Sequence, residues 1–133
     1  MAVKSMGYDN PAYLAVAGDQ GGAIAAGSGT SQATKFVAFA ASLVKSFVGR
    51  ISAAGTSNDV ASLVVISGTT TTTTAFGTTG SGATGFVYYP APSTLAPLLQ
   101  GDEYYVQKGT DATLAFAAVC VERVIQPLAN VTV

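Results

Sequence analysis

From Leu63 onward, short apolar and β-branched runs alternate with turn-forming residues at intervals of about 8–12 residues, the spacing of strands in an all-β sandwich. Leu63-Val64-Val65-Ile66 reads as a buried strand. Gly68 then precedes six consecutive threonines, Thr69 to Thr74, whose β-branched side chains suit a pleated surface with hydroxyls outward. Gly77 to Gly82 reads as a loop, and Gly85-Phe86-Val87-Tyr88-Tyr89 as a strand halted by Pro90 and Pro92. A turn at Leu98–Asp102 leads into a strand over residues 103–108. Gly109-Thr110-Asp111 turns the chain into Thr113–Ile125, long enough to cross a whole sheet, and Asn130–Val133 closes it.

Residues 35–54 admit two readings. Phe36, Phe39, Leu43 and Phe47 recur at helical spacing, whereas Val37, Val44, Val48 and Ile51 are β-branched and Gly49 interrupts the run. Two strands are the favoured reading and one helix the alternative. The expected architecture is a single, jelly-roll-like β-sandwich of about seven to eight strands over residues 35–133. Residues 1–34, rich in Gly and Ala, lack a steady period and read as an extended N-terminal arm, the alternative being a solvated tail. Tyr8, Asn10, Pro11, Tyr13 and Leu14 are its candidate partner-binding residues, because clustered aromatic and apolar side chains supply most interface energy.

Composition points the same way. The chain is 49% hydrophobic and 10% charged, against a norm of about 25% charged, so much neutral surface faces outward and an obligate assembly is expected. Its 133 residues suggest one domain. The six cations are spread along a chain of net charge −1, which argues against nucleic-acid binding. The start has no continuous apolar stretch of the kind a secretory signal needs, and the charge-free stretch 60–101 is too rich in Thr, Gly, Ser and Pro to span a membrane. One cysteine, Cys120, excludes an internal disulfide, and its apolar neighbours suggest a small buried hydrophobe.

Chemistry-bearing motifs are weak. With no histidine, the commonest general base and zinc ligand are missing. Gly80-Ser81-Gly82-Ala83-Thr84-Gly85 fits a dinucleotide fingerprint but leads into a strand-like run, so it reads as a loop. Ser42-Leu43-Val44-Lys45 fits a nucleophile box whose further elements are absent, and on a strand its Ser and Lys face opposite ways. Asp102-Glu103, with Asp111 nearby, raises a weak calcium site, yet an Asp after Gly is more simply turn chemistry. Asn130-Val131-Thr132 is read as a coincidental glycosylation sequon. No catalytic residue, metal site or cofactor is expected.

Three stretches carry a resemblance: Gly7-Tyr8-Asp9-Asn10-Pro11-Ala12-Tyr13-Leu14; Lys35-Phe36-Val37-Ala38-Phe39-Ala40 with the later Ala54-Gly55-Thr56-Ser57; and Gln100-Gly101-Asp102-Glu103-Tyr104-Tyr105-Val106 with Lys108-Gly109-Thr110-Asp111-Ala112-Thr113. In these the chain resembles the small decoration, or cement, proteins of tailed-bacteriophage heads. The resemblance implies a β-sandwich on the outer capsid surface of the virion, made in the host cytoplasm, bridging capsomers without catalysis or cofactor. Its implied partners are the major capsid protein and the chain itself, a homotrimer being favoured and a dimer the alternative. A carbohydrate- or host-binding module of a fibre or tail is the competing reading, with Tyr88, Tyr89, Tyr104 and Tyr105 as sugar-stacking candidates. An enzyme is the third and least favoured.

Overall fold

The computed structural model describes residues 15–125. Eight strands occupy this span: β1 (Ala15–Gly21), β2 (Phe36–Val37), β3 (Ser42–Ala53), β4 (Asp59–Ser67), β5 (Thr70–Thr79), β6 (Gly85–Pro90), β7 (Glu103–Gln107) and β8 (Ala115–Ile125). They form two four-stranded antiparallel sheets, ordered β1-β8-β3-β6 and β2-β7-β4-β5, and the fold is an all-β sandwich. Pairing runs from the outer strands inward: β1 meets β8, β2 meets β7, β3 meets β6, and β4 meets β5. The β3–β8 and β4–β7 ladders join these pairs into sheets.

The two-strand reading of residues 35–54 holds. β3 is hydrogen-bonded on both sides, to β8 and β6, and this long-range pairing outweighs the helical spacing of its aromatics. Phe39, which that helix would have buried, stands 80% exposed in the β2–β3 connection. The threonine run is strand, as its flanks suggest, and a two-residue Gly68-Thr69 loop joins it to β4. Gly68 has φ +61°, the left-handed value that the first central residue of a type II′ hairpin turn adopts, and Thr69 has no positive φ.

The arm expected over 1–34 is corrected from residue 15 onward. Residues 15–21 are β1, paired along their full length with β8. Ile24 is fully buried and exchanges backbone hydrogen bonds with Phe116 at 2.9 Å in each direction. Gln32 is buried as well, its side-chain Oε1 accepting the Val106 N–H at 3.0 Å. The glycines that resemble a tether are partly packing devices: a Cβ on Gly21 would lie 2.8 Å from Gln32 Nε2 and 3.0 Å from the Phe36 ring. The sandwich therefore begins by residue 15 rather than 35. Tyr8, Asn10, Pro11, Tyr13 and Leu14 lie outside the described residues, as does Asn130–Val133.

Between the sheets, Val44, Phe47 and Ile51 of β3 and Phe116, Val119 and Val121 of β8 meet Leu63, Tyr104 and Val106. Phe47 packs edge-on to Phe116 at 6.0 Å and stacks on Tyr89 at 5.9 Å, the offset and T-shaped geometries that aromatic rings prefer. One polar cluster crosses this apolar layer. Arg123 on β8 donates from Nε to Asp19 Oδ2 of β1 at 2.7 Å, and the Tyr104 hydroxyl on β7 of the opposite sheet donates to the same oxygen. Arg123 Nη1 also reaches Ser42 Oγ of β3 at 3.4 Å. Burial alone would weaken the guanidinium's hold on its proton, but the Asp19 hydrogen bond and charge outweigh this and raise its pKa. Burial first, and then the bond to Asp19, push the Tyr104 hydroxyl well above the ordinary tyrosine range. The hydroxyl stays a donor at any physiological pH.

Because the Arg123 side chain is only 6% exposed, removing it strips Asp19, itself 21% exposed, of its charge partner and leaves the Tyr104 hydroxyl as its remaining donor. Arg123→Met should cost about 3 kcal/mol in urea unfolding, and adding Asp19→Asn should recover part of that loss. Equal stability of Arg123→Met and wild type would show that the cluster holds nothing together.

Candidate interaction surface

Strand alternation sends one set of sheet side chains into the core and the other outward. On the β1-β8-β3-β6 sheet, the outward set forms two cross-strand rows. Gln20, Cys120, Val48 and Tyr88 align in register, and beside them Ala118, Arg50 and Phe86. Phe86 and Tyr88 are two apart on β6, hence on one face, while Val87 and Tyr89 turn inward to pack on the core. Phe86 is 75% and Tyr88 64% exposed. Between the rows and the end of β1 runs a shallow, mainly apolar groove of about 460 Å³, lined by Val48, Arg50, Phe86, Ala118 and Cys120 among others. The Arg50 guanidinium lies 5.8 Å from the Phe86 ring centre, a cation–π contact. The surface thus offers aromatic and small apolar area on a rigid sheet, the chemistry of a protein-docking face.

The groups that could react are poorly placed to do so. Cys120 borders the groove, but burial, Asp19 and Glu122 raise its thiol pKa, which disfavours the thiolate. Ser42 is buried and Lys45 exposed, so the nucleophile-box pair is split as strand geometry requires. Gly80–Gly85 leads from β5 into β6 with no helix between them. Asp102 Oδ2 accepts the Leu99 N–H at 2.8 Å, the expected turn role, and Glu103 pairs with Lys35 at 3.4 Å. No cluster of three or more metal-ligating side chains occurs among the described residues. Of the four sugar-stacking candidates, Tyr104 is fully buried and Tyr89 bonds Thr79 at 2.8 Å. Tyr105 is half-buried with Lys35 over its ring, and only Tyr88 stands exposed.

Comparison with protein-family models, curated proteins and solved structures finds no match for this chain. Its own geometry is therefore the ground for a functional reading.

Sequence reasoning did not single out Phe86, Val48 or Arg50. The signal for Phe86 and Tyr88 was present, since alternate residues of a strand share a face, but which face would be outward depended on pairing to β3. It also missed how one end of the sandwich is fastened. There Asp111 accepts hydrogen bonds from the Ser57 N–H, the Thr113 N–H and the Thr113 hydroxyl at 2.8, 2.8 and 2.6 Å. Asp59 accepts the Gly109 N–H at 3.0 Å, and the buried Lys108 ammonium caps the carbonyls of Gly27 and Asp111. Three connections are thereby tied to one another.

The Thr113 hydroxyl, followed by the Ser57 and Thr113 N–H groups, holds the Asp111 carboxyl well below the usual carboxylate range. A carboxyl of lowered pKa contributes its stability fully above the unfolded value near pH 4 and loses it as pH falls toward the folded value. The melting-temperature gap between wild type and Asp111→Asn should be steady from about pH 5 to 8 and narrow below about pH 4. A gap that stayed constant down to pH 3 would remove the ionised anchor from the account.

Proposed function

We propose that this chain is a structural virion protein, a capsid decoration (cement) subunit that binds the outer surface of a phage head and stabilises it by bridging capsomers. The observation that carries the reading is the exposed face of the β1-β8-β3-β6 sheet, where Phe86 and Tyr88 flank a groove of small apolar side chains. A face of this kind gains free energy by leaving water against another protein. A double sheet with polar ties at its end connections keeps that face flat and stiff. The strand orders β1-β8-β3-β6 and β2-β7-β4-β5, built from pairs nested from outermost to innermost, support assigning the sandwich as a jelly roll.

On this reading the protein acts by buried area and repeated attachment rather than by catalysis, without cofactor. Its partners are the major capsid protein and further copies of itself, a trimer being favoured and a dimer the alternative. Residues 1–14, with Tyr8, Asn10, Pro11, Tyr13 and Leu14, are the proposed second attachment element, an arm shorter than the 34 residues first expected. Linking an arm and a face on one molecule raises avidity without new chemistry. A carbohydrate- or host-binding module of a fibre or tail is the second reading, favoured by the exposure of Tyr88 and Phe86 beside the groove.

Co-sedimentation with mature, undecorated heads of the parent phage distinguishes the two. The full chain should bind at a fixed, saturable ratio to capsid subunits. Deletion of residues 1–14, and separately Phe86→Ser with Tyr88→Ser, should each weaken binding by about tenfold or more. The paired substitution lies on the exposed face and should change stability by no more than about 1 kcal/mol. Absence of binding by the full chain would sink the decoration reading, and glycan panels would then become the informative assay.

A further inference from the structure

An antiparallel sandwich has four outer edges, and unpaired backbone along an edge is a template for another strand unless something blocks it. Three of the four edges here are blocked. β2 is two residues long and follows Lys35. β1 carries Asp19, a charge turned inward to Arg123 and Tyr104. β6 has six residues and stops at Pro90. The fourth edge, β5, differs in each respect. It is ten residues long, contains neither proline nor charge, and lies within the charge-free stretch 60–101. Its one irregularity is the register shift beyond Ala75, opposite Ala61 and Ser62.

Among the described residues, the backbone groups that β5 leaves unpaired follow from the turn. A two-residue loop makes Ser67 and Thr70 the closing hydrogen-bonded pair, and the ladder then alternates. Thr71, Thr73 and Ala75 therefore turn their N–H and C=O groups away from β4. These are the groups a further strand would use.

We infer that β5 pairs antiparallel with β5 of a second copy about a two-fold axis at Thr73, joining the two β2-β7-β4-β5 sheets into one eight-stranded sheet. The occupant is chosen by charge. In an antiparallel contact between identical strands each residue meets its mirror position, so a strand carrying a charge near the axis meets like charge. β5 has none and matches itself throughout. Centred on Thr73, the pairing sets Thr71 against the partner's Ala75 and Thr73 against itself, so outward-facing backbone groups meet, and Thr72 faces the partner's Thr74. The β-branched side chains then form the cross-strand pairs that stabilise sheets. The inference does not rest on the decoration reading; it concerns how copies of the chain meet, whatever larger surface they bind.

Sedimentation velocity on the full chain across a concentration series tests it without any phage head. The wild type should show a reversible monomer–dimer equilibrium. Thr73→Lys and Thr73→Glu should each weaken self-association by roughly tenfold or more, with unchanged circular dichroism. An equimolar mixture of the two variants should restore dimers, because Lys then faces Glu across the axis. A misfolded variant would not regain association on mixing, so the restoration separates pairing from damage. A wild type that stays monomeric, or variants that associate like wild type, would overturn the β5 contact; both leave the decoration reading to the co-sedimentation result.

Discussion

Among the described residues, the bond between Arg123 and Asp19, shared with the Tyr104 hydroxyl, is the one interaction that touches both sheets through side-chain charge. Apolar packing holds the sheets face to face but is indifferent to small slips. A bidirectional polar cluster is not, since each member loses its partner if β1, β8 or β7 shifts by a residue. The cluster specifies register: β1 against β8 within one sheet, and both against β7 of the other. Burying it contributes little net stability, because desolvation of the two ions offsets much of their attraction. Its value lies in making every other arrangement worse.

The outer face inherits its order from that arrangement. Val48, Cys120 and Tyr88 form one row, and Ala118, Arg50 and Phe86 another, only because β8 lies between β1 and β3 in this register. A slip of one residue would send Phe86 and Tyr88 inward and expose Val87 and Tyr89. The surface proposed for docking and the buried charge cluster are thus two sides of one pairing. At the opposite extreme of chemistry, Asp111, Asp59 and Lys108 secure the end connections with bonds to backbone groups, so the sandwich needs no disulfide to hold its turns.

The strands from Leu63 onward were legible because their markers are local. Gly68 before the threonine run, Pro90 after the tyrosines, and Gly101-Asp102 before β7 each act within a few residues. The 35–54 stretch was legible only in part, since helical and extended spacing coexist there and partners distant in sequence decide between them. The first strand was missed altogether. Its Ala, Gly and Gln carry no strand signature, and it exists because β8, eleven residues long, offers a second edge. The proposed docking face was half legible: strand alternation pairs Phe86 with Tyr88, but which face is outward is a property of the whole sheet. Asp19 and Arg123 stand 104 positions apart, and no spacing rule joins them.

Nesting of the strand pairs also constrains the time at which the fold can form. β8 is the inner neighbour of both β1 and β3, so neither strand finds its main partner until residues 115–125 have left the ribosome. Only the β4–β5 hairpin closes locally; the other pairings enclose loops of increasing length. Such topologies fold slowly, in roughly milliseconds to seconds, because loop-closure entropy is lost before distant contacts compensate it. A nascent chain truncated before β8 carries β1 without a partner and β3 with one edge still open beside β6. Emergence of β8 is therefore the switch that converts an adhesive chain into a stable one.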